Sequence, residues 1–375
     1  MSEYQYYEFL AIDRPLDAAA LAEVRKISRR AQPTPSGVVF DYSYGDYPGD
    51  PLNLLEKHYD ALVYMANWGS KQLAFRFPRA AIDVAALQRY ACSEAIQLIL
   101  KPQHVLLNIV IEEEDSLGWV EGDGLLAQLA PLRADIMDGD LRAPYLAWLK
   151  WAAMGGPIED EDLDPDRLAE PPLPAGLGQL TAPLQALVEF LDIDQDLVAA
   201  AALTSPPFQA VDEPVEQWVA RLRQVERDAF LVRAARGDRI GPELLRRLRE
   251  IGRAGAPPEH VNSAARSFGG IKAGVAAVRA ERIGRERRAA EQARLRHLED
   301  VGRSEEQLWQ ALPGLIGQQT ASAYDRATTA LADLRALAIH RRDRDRFVQR
   351  FEQLQAAVRF TPTLIKRLQK ANVLQ

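Results

Sequence analysis

Five histidines, one cysteine and several acidic clusters are the groups in this 375-residue chain that could do chemistry. His58, His104, His260, His297 and His340 stand far apart, and none forms the H-E-x-x-H spacing that presents two ligands to one metal ion from a helix. Asp160, Asp162 and Asp164 imitate the start of a calcium loop. Pro165 stands where that loop needs glycine, and Pro171 where it needs a bidentate glutamate, so a solvated linker is expected instead. Glu112 and Glu114 would point to one side of a strand about 6.5–7 Å apart, a spacing suited to acid and base work. With Glu113 and Asp115 beside them they read as a strand leaving into water. Cys92, next to Ser93 and Glu94, has no histidine at a diagnostic distance and reads as a small core residue. Gly269-Gly270-Ile271-Lys272-Ala273-Gly274 could offer free amides to a phosphate at a helix start, but it lacks the order of a P-loop. No catalytic residue, metal site or cofactor is expected, and an enzyme is not the favoured class.

Charge is the stronger signal. From Pro214 to Gln375 there are 31 Lys and Arg against 19 Asp and Glu, while the residues before Pro214 carry 15 against 34. A basic rear behind an acidic front raises nucleic acid, an acidic partner or the chain's own front as its counterpart. The candidate anion or partner contacts are Arg246, Arg247 and Arg249 on one helix, and Lys272, Arg279, Arg287 and Arg294 along one side of a longer one. On that longer helix Glu281 and Arg285, Arg282 and Glu286, Arg287 and Glu291, and Arg296 and Asp300 are all i, i+4 pairs. Such pairs mark a self-supporting exposed helix and make the cationic surplus diffuse. Tyr7, Phe9, Tyr42, Tyr44 and Tyr47 could stack bases on a sheet, but the basic and glycine context of an RNA-binding sheet is missing, and a core role is expected.

The elements that must carry these residues are legible from period. Tyr4 to Ile12, Val38 to Tyr44 and Leu73 to Phe77 alternate as strands; Ile96 to Leu100 and Val105 to Ile111 read as a hairpin around Pro102. Asp17, Asp50 before Pro51, and Thr361 before Pro362 are helix N-caps. From Gly124 the helical period takes over, and Trp218, Leu222, Val225, Ala229 and Val232 make its clearest stripe, expected as one helix. The expected fold is an α+β N-terminal domain followed by an all-α multi-helix region. Residues 1–116 form the α+β sandwich. Residues 117–213 are helical with an exposed acidic, Pro-rich linker at 155–178, and residues 214–375 are an Arg-rich helical region ending in a multi-helix module at 304–375.

The opening Tyr4-Gln5-Tyr6-Tyr7-Glu8-Phe9-Leu10-Ala11-Ile12-Asp13-Arg14-Pro15-Leu16, with Ala66-Asn67-Trp68-Gly69 and Pro174-Ala175-Gly176-Leu177-Gly178, resembles a family of bacterial proteins with no assigned activity. The similarity spans most of the chain. The rear, from Ala323-Tyr324-Asp325-Arg326-Ala327 through Phe351 and Leu364 to Leu374, is similar to helical tails of other bacterial proteins, some bearing a SWIM-type zinc finger whose cysteines this chain lacks. The resemblance implies a bacterial, cytoplasmic protein and no chemistry.

One cysteine, no apolar leader and no run long enough to span a membrane also point to the cytoplasm, with no membrane partner. The expectation is a non-enzymatic protein-interaction or scaffold factor that docks a protein partner through its helical C-terminal region. A nucleic-acid-binding accessory protein using the Arg-rich region is the alternative. An enzyme whose site is assembled only in the fold is third.

Overall fold

The computed structural model describes residues 4–28, 31–91, 95–113, 122–156, 164–208, 213–254 and 266–374. Cys92, Glu114, Asp115, Asp160, Asp162 and His260 lie outside the described residues. The chain divides into two compact units, Met1–Arg279 and Ala280–Gln375.

Six strands open the first unit: β1 (Tyr4–Leu10), β2 (Gly37–Ser43), β3 (Ala61–Ala66), β4 (Lys71–Pro78), β5 (Ile96–Leu100) and β6 (His104–Ile111). They form one antiparallel sheet in the order β2-β1-β3-β4-β6-β5. Because successive side chains alternate, every strand but the edge strand β2 feeds two cores, and β2 leaves Val39 and Asp41 exposed on its other side. Val63, Leu73, Phe75, Leu107 and Ile109 face a large core shared with the helices that follow. Phe9, Phe40, Leu62, Ala74 and Leu106 face a second core. That second core is closed by residues on and around α1 (Ala18–Arg25) and α2 (Pro51–His58), among them Val24, Leu54, Leu55 and Tyr59. Both helices start as their sequences require: Asp17 accepts from the Ala20 amide at 2.8 Å and Asp50 from that of Leu52 at 2.9 Å. The aromatic residues of the front follow suit, with Tyr7, Phe9 and Tyr47 buried in this core and Tyr44 exposed.

After α3 (Val84–Gln88) and the β5–β6 hairpin come α4 (Leu125–Leu129), α5 (Pro131–Met137), α6 (Arg142–Ala153), α7 (Ala182–Phe190) and α8 (Gln195–Ala202). Eleven of the twelve residues of α6 are buried, which makes it the centre of the large core. The Pro-rich stretch before α7 is exposed at Asp164, Asp166 and Arg167, as expected of a linker, but departs from one around Glu170 and Leu177. The Glu170 carboxylate takes a 2.5 Å hydrogen bond from the Tyr145 hydroxyl and is bridged by Arg266 at 2.9 Å, while Leu177 is buried. Proline and acid content signalled a segment with little to bury. Backbone carbonyls of Gly176 and Gln179, held by the buried Arg142 guanidinium at 3.1 and 3.0 Å, tie it down instead. Gly176 sits at φ +82, and a side chain there would collide with Phe208.

The remaining helices of this unit are α9 (Val215–Arg221), α10 (Gln224–Ala235), α11 (Gly241–Arg253) and the start of α12 (Phe268–Arg303). The single helix expected over Trp218 to Val232 is two, because Leu222 and Arg223 are extended, with ψ of 137 and 142. Leu222 is buried at the break, and the register of everything after it is thereby reset.

In the second unit the rest of α12 is followed by α13 (Glu305–Gly317), α14 (Ala321–His340), α15 (Arg344–Ala357) and α16 (Pro362–Lys370). Trp309, Leu312, Leu331, Leu334, Phe351, Leu364 and Leu368 meet in a core of its own. The α16 start is capped by the Thr361 hydroxyl, which accepts from the Leu364 amide at 3.3 Å. An α+β front with a six-stranded antiparallel sheet and a many-helix rear is thus the architecture.

Candidate functional site

A buried charged cluster lies where β1, β3 and β4 meet, on residues that composition and spacing did not single out. Asp60, immediately before β3, is 1% exposed. One of its oxygens accepts from the amides of Ile12 and Asp13 at 2.7 and 2.8 Å, and the other from Arg76 at 2.7 Å. Arg133 of α5 lies 3.7 Å from Asp60 and forks onto Asp13 at 3.0 and 2.6 Å. It also donates to the Arg76 carbonyl at 2.7 Å and lies over the Phe77 ring. Burial pushes the Asp60 carboxyl up, but the Asp13 amide, Arg76 and Arg133 outweigh it and hold it below its ordinary value. With both oxygens engaged, the carboxylate is a clamp between sheet and helix, with no lone pair aimed at a substrate. The signal that could have found it is Arg76, a charge inside the apolar alternation of Leu73, Phe75 and Phe77.

Of the carboxylates weighed for catalysis, Glu113 is spent on Lys150 at 2.5 Å and Glu112 is exposed. Among the described residues no group of three or more His, Cys, Asp or Glu side chains could hold a metal ion. The glycine-rich start of α12 is explained by packing. A side chain on Gly269 would meet the Asp166 backbone at 2.9 Å, and Lys272 reaches the Asp166 carboxylate at 2.7 Å.

The candidate cations are mostly engaged within the chain. Arg246 donates to the Ala80 carbonyl at 2.6 Å and pairs with Glu250. Arg247 pairs with Glu226 at 3.0 Å and with Glu250 at 3.2 Å. Arg249 pairs with Glu213 at 2.7 Å and caps the Asp138 carbonyl. Arg279 bridges Asp194 at 2.7 Å and Asp196 at 2.8 Å. Arg294 lies 3.8 Å from Glu291, and among the described residues Arg287 makes no ion pair. Of the four i, i+4 pairs expected on α12, Arg282 with Glu286 forms at 2.9 Å and Arg285 with Glu281 at 3.9 Å, whereas Asp300 is taken by Arg303.

The pairing of α11 with α10 turns α10 over. Glu226 and Arg233 of α10 face α11, Arg233 forking onto Glu243 at 3.0 and 2.7 Å. The Arg223 hydrogen bond, with Arg247 adding to it, holds the Glu226 carboxyl down at about 2. No residue of α10 is buried. Its apolar stripe looks outward: Val225 is 81% exposed, Val232 49%, and Ala229 between them is exposed too. An amphipathic helix normally does the reverse. Leu231 on its flank is 62% exposed. A second apolar feature, a groove of about 600 Å³ between α7 and α8, is floored by Leu177, Val188 and Val198 and rimmed by Glu189 and Gln195.

Comparison of the chain with protein-family models, with curated proteins and with solved structures returned no match in any of the three. Among the described residues no helix is long and apolar enough to cross a membrane.

Proposed function

We propose that this chain is a non-enzymatic interaction or scaffold factor that docks a protein through its helical rear. One observation carries the reading: α10 turns Val225, Ala229 and Val232 to solvent while its charged side is consumed by α11. Covering each exposed valine on docking is worth up to about 1.5–3 kcal/mol, whereas the exposed ion pairs around it contribute about 1 kcal/mol or less each. The apolar stripe is thus the part of this surface with free energy left to give. A nucleic-acid role rests on Arg287 and Arg294, whose charges are the least compensated of the candidates.

The test is capture from a lysate of the native host with the full chain and with a Val225→Asp, Val232→Asp variant. The expected result is a protein partner retained by the wild type and depleted at least about tenfold by the variant. A lone monomer without partners overturns the reading. DNA or RNA retained with a steep salt dependence would move it to the nucleic-acid alternative.

A further inference from the structure

We infer that the stripe on α10 is covered by α10 of a second copy of this chain, the two helices running antiparallel about a two-fold axis beside Val232. This rests on the interaction reading above and names the occupant. Asp228, Val232 and Arg236 are four residues apart and form one ridge; Val225 and Ala229 form the ridge beside it. Two helices that interlock through such ridges cross at about −50° with the ridges parallel. With the axis beside Val232, the ridge of one copy runs opposite to that of the other. Val232 then meets Val232, and each Asp228 lies alongside the other copy's Arg236.

The charges choose this partner over others. Among the described residues neither Asp228 nor Arg236 makes an ion pair in its own chain, whereas Glu226 and Arg233 on the far side do. Arg227, also without one, lies about 140° round the helix from Val232 and takes no part. A stripe flanked by one acid and one base, equidistant from its central valine, is self-complementary. That is the requirement of an isologous two-fold contact. A partner of uniform charge would satisfy one flank and repel the other.

One short helix per copy is less than a standard interface, so association is weak and is read at about 0.01–0.5 mM chain. Sedimentation equilibrium of the purified full chain should give a reversible monomer–dimer equilibrium. Val232→Asp should abolish the dimer, and Asp228→Arg or Arg236→Asp alone should weaken it about tenfold or more. The decisive arms are the restorations. The double variant Asp228→Arg, Arg236→Asp should recover the dimer, and an equimolar mixture of the two single variants should form it as a heterodimer. Unchanged circular dichroism shows that these surface variants fold. A wild type that stays monomeric, a dimer indifferent to the charge reversals, or singles that neither restoration rescues would each overturn the inference. A monomer that still captures another protein through Val225 and Val232 would sink this inference alone and leave the interaction reading standing.

Discussion

Asp60 shows how a charge can be placed in a core without serving chemistry. It stabilises by accepting from two backbone amides and Arg76 and by its charge 3.7 Å from Arg133, so removing it strands buried donors and cations. Asp60→Ala should lower stability by about 3–5 kcal/mol, read from chemical denaturation of the first unit. A loss near zero would mean that water replaces the carboxylate. The carboxyl titrates below its ordinary 3.8, so its contribution is complete above that pH and is lost as pH falls through the lower folded value. Wild type should therefore lose stability in that acid range more steeply than Asp60→Asn. The residues of this cluster are scattered from Asp13 to Arg133, and only the β3–β4 register and the packing of α5 bring them together. Caps were different: Asp17, Asp50 and Thr361 act on amides two or three residues away, so sequence alone located them.

Helix α10 is where local pattern and tertiary placement part. The period of Val225, Ala229 and Val232 is real, but period says only that these side chains share a face. Which face looks inward was decided by Arg247 and Glu243, from a helix that begins after Gly237. This pairing carries a pH signature. Glu226 drops from 4.5 to about 2, chiefly through Arg223 at the start of α10 with Arg247 of α11 adding to it, so both of its ion pairs are present above 4.5 and vanish as pH falls toward about 2. Amide-exchange protection of α10, relative to the sheet, should fall across that window. Glu226→Gln should have lowered protection already at neutral pH and show little further change. Equal protection of wild type and variant at neutral pH would show that packing around Phe230 holds the two helices together without the ion pairs.

At the scale of the molecule, the cores set the units. Leu331, fully buried in the second unit, belongs to a cluster that shares no residue with the cores of the first. Leu331→Ala should cost about 2–5 kcal/mol in the transition of the second unit, followed by calorimetry and by amide exchange in α13 to α16. Protection of the sheet amides should stay unchanged. A parallel loss in β1 to β6 would show that the two units unfold as one. The basic surplus of the rear is best understood at this scale as well. It is distributed over many internal ion pairs, from Arg233 with Glu243 to Arg350 with Glu306, and does not form one cationic surface on α11.

From sequence alone came five of the six strands, β3 excepted, the α+β front, the helical rear, the caps and the reversal of charge near Pro214. Each depends on neighbours a few residues apart or on a sum along the chain. The tertiary structure alone decided the clamp at Asp60, the burial of the Pro-rich stretch around Glu170 and Leu177, and the outward turn of α10. Those depend on which distant groups meet, and a buried ion pair or a turned helix is selected by the free energy of the whole contact rather than by the local pattern.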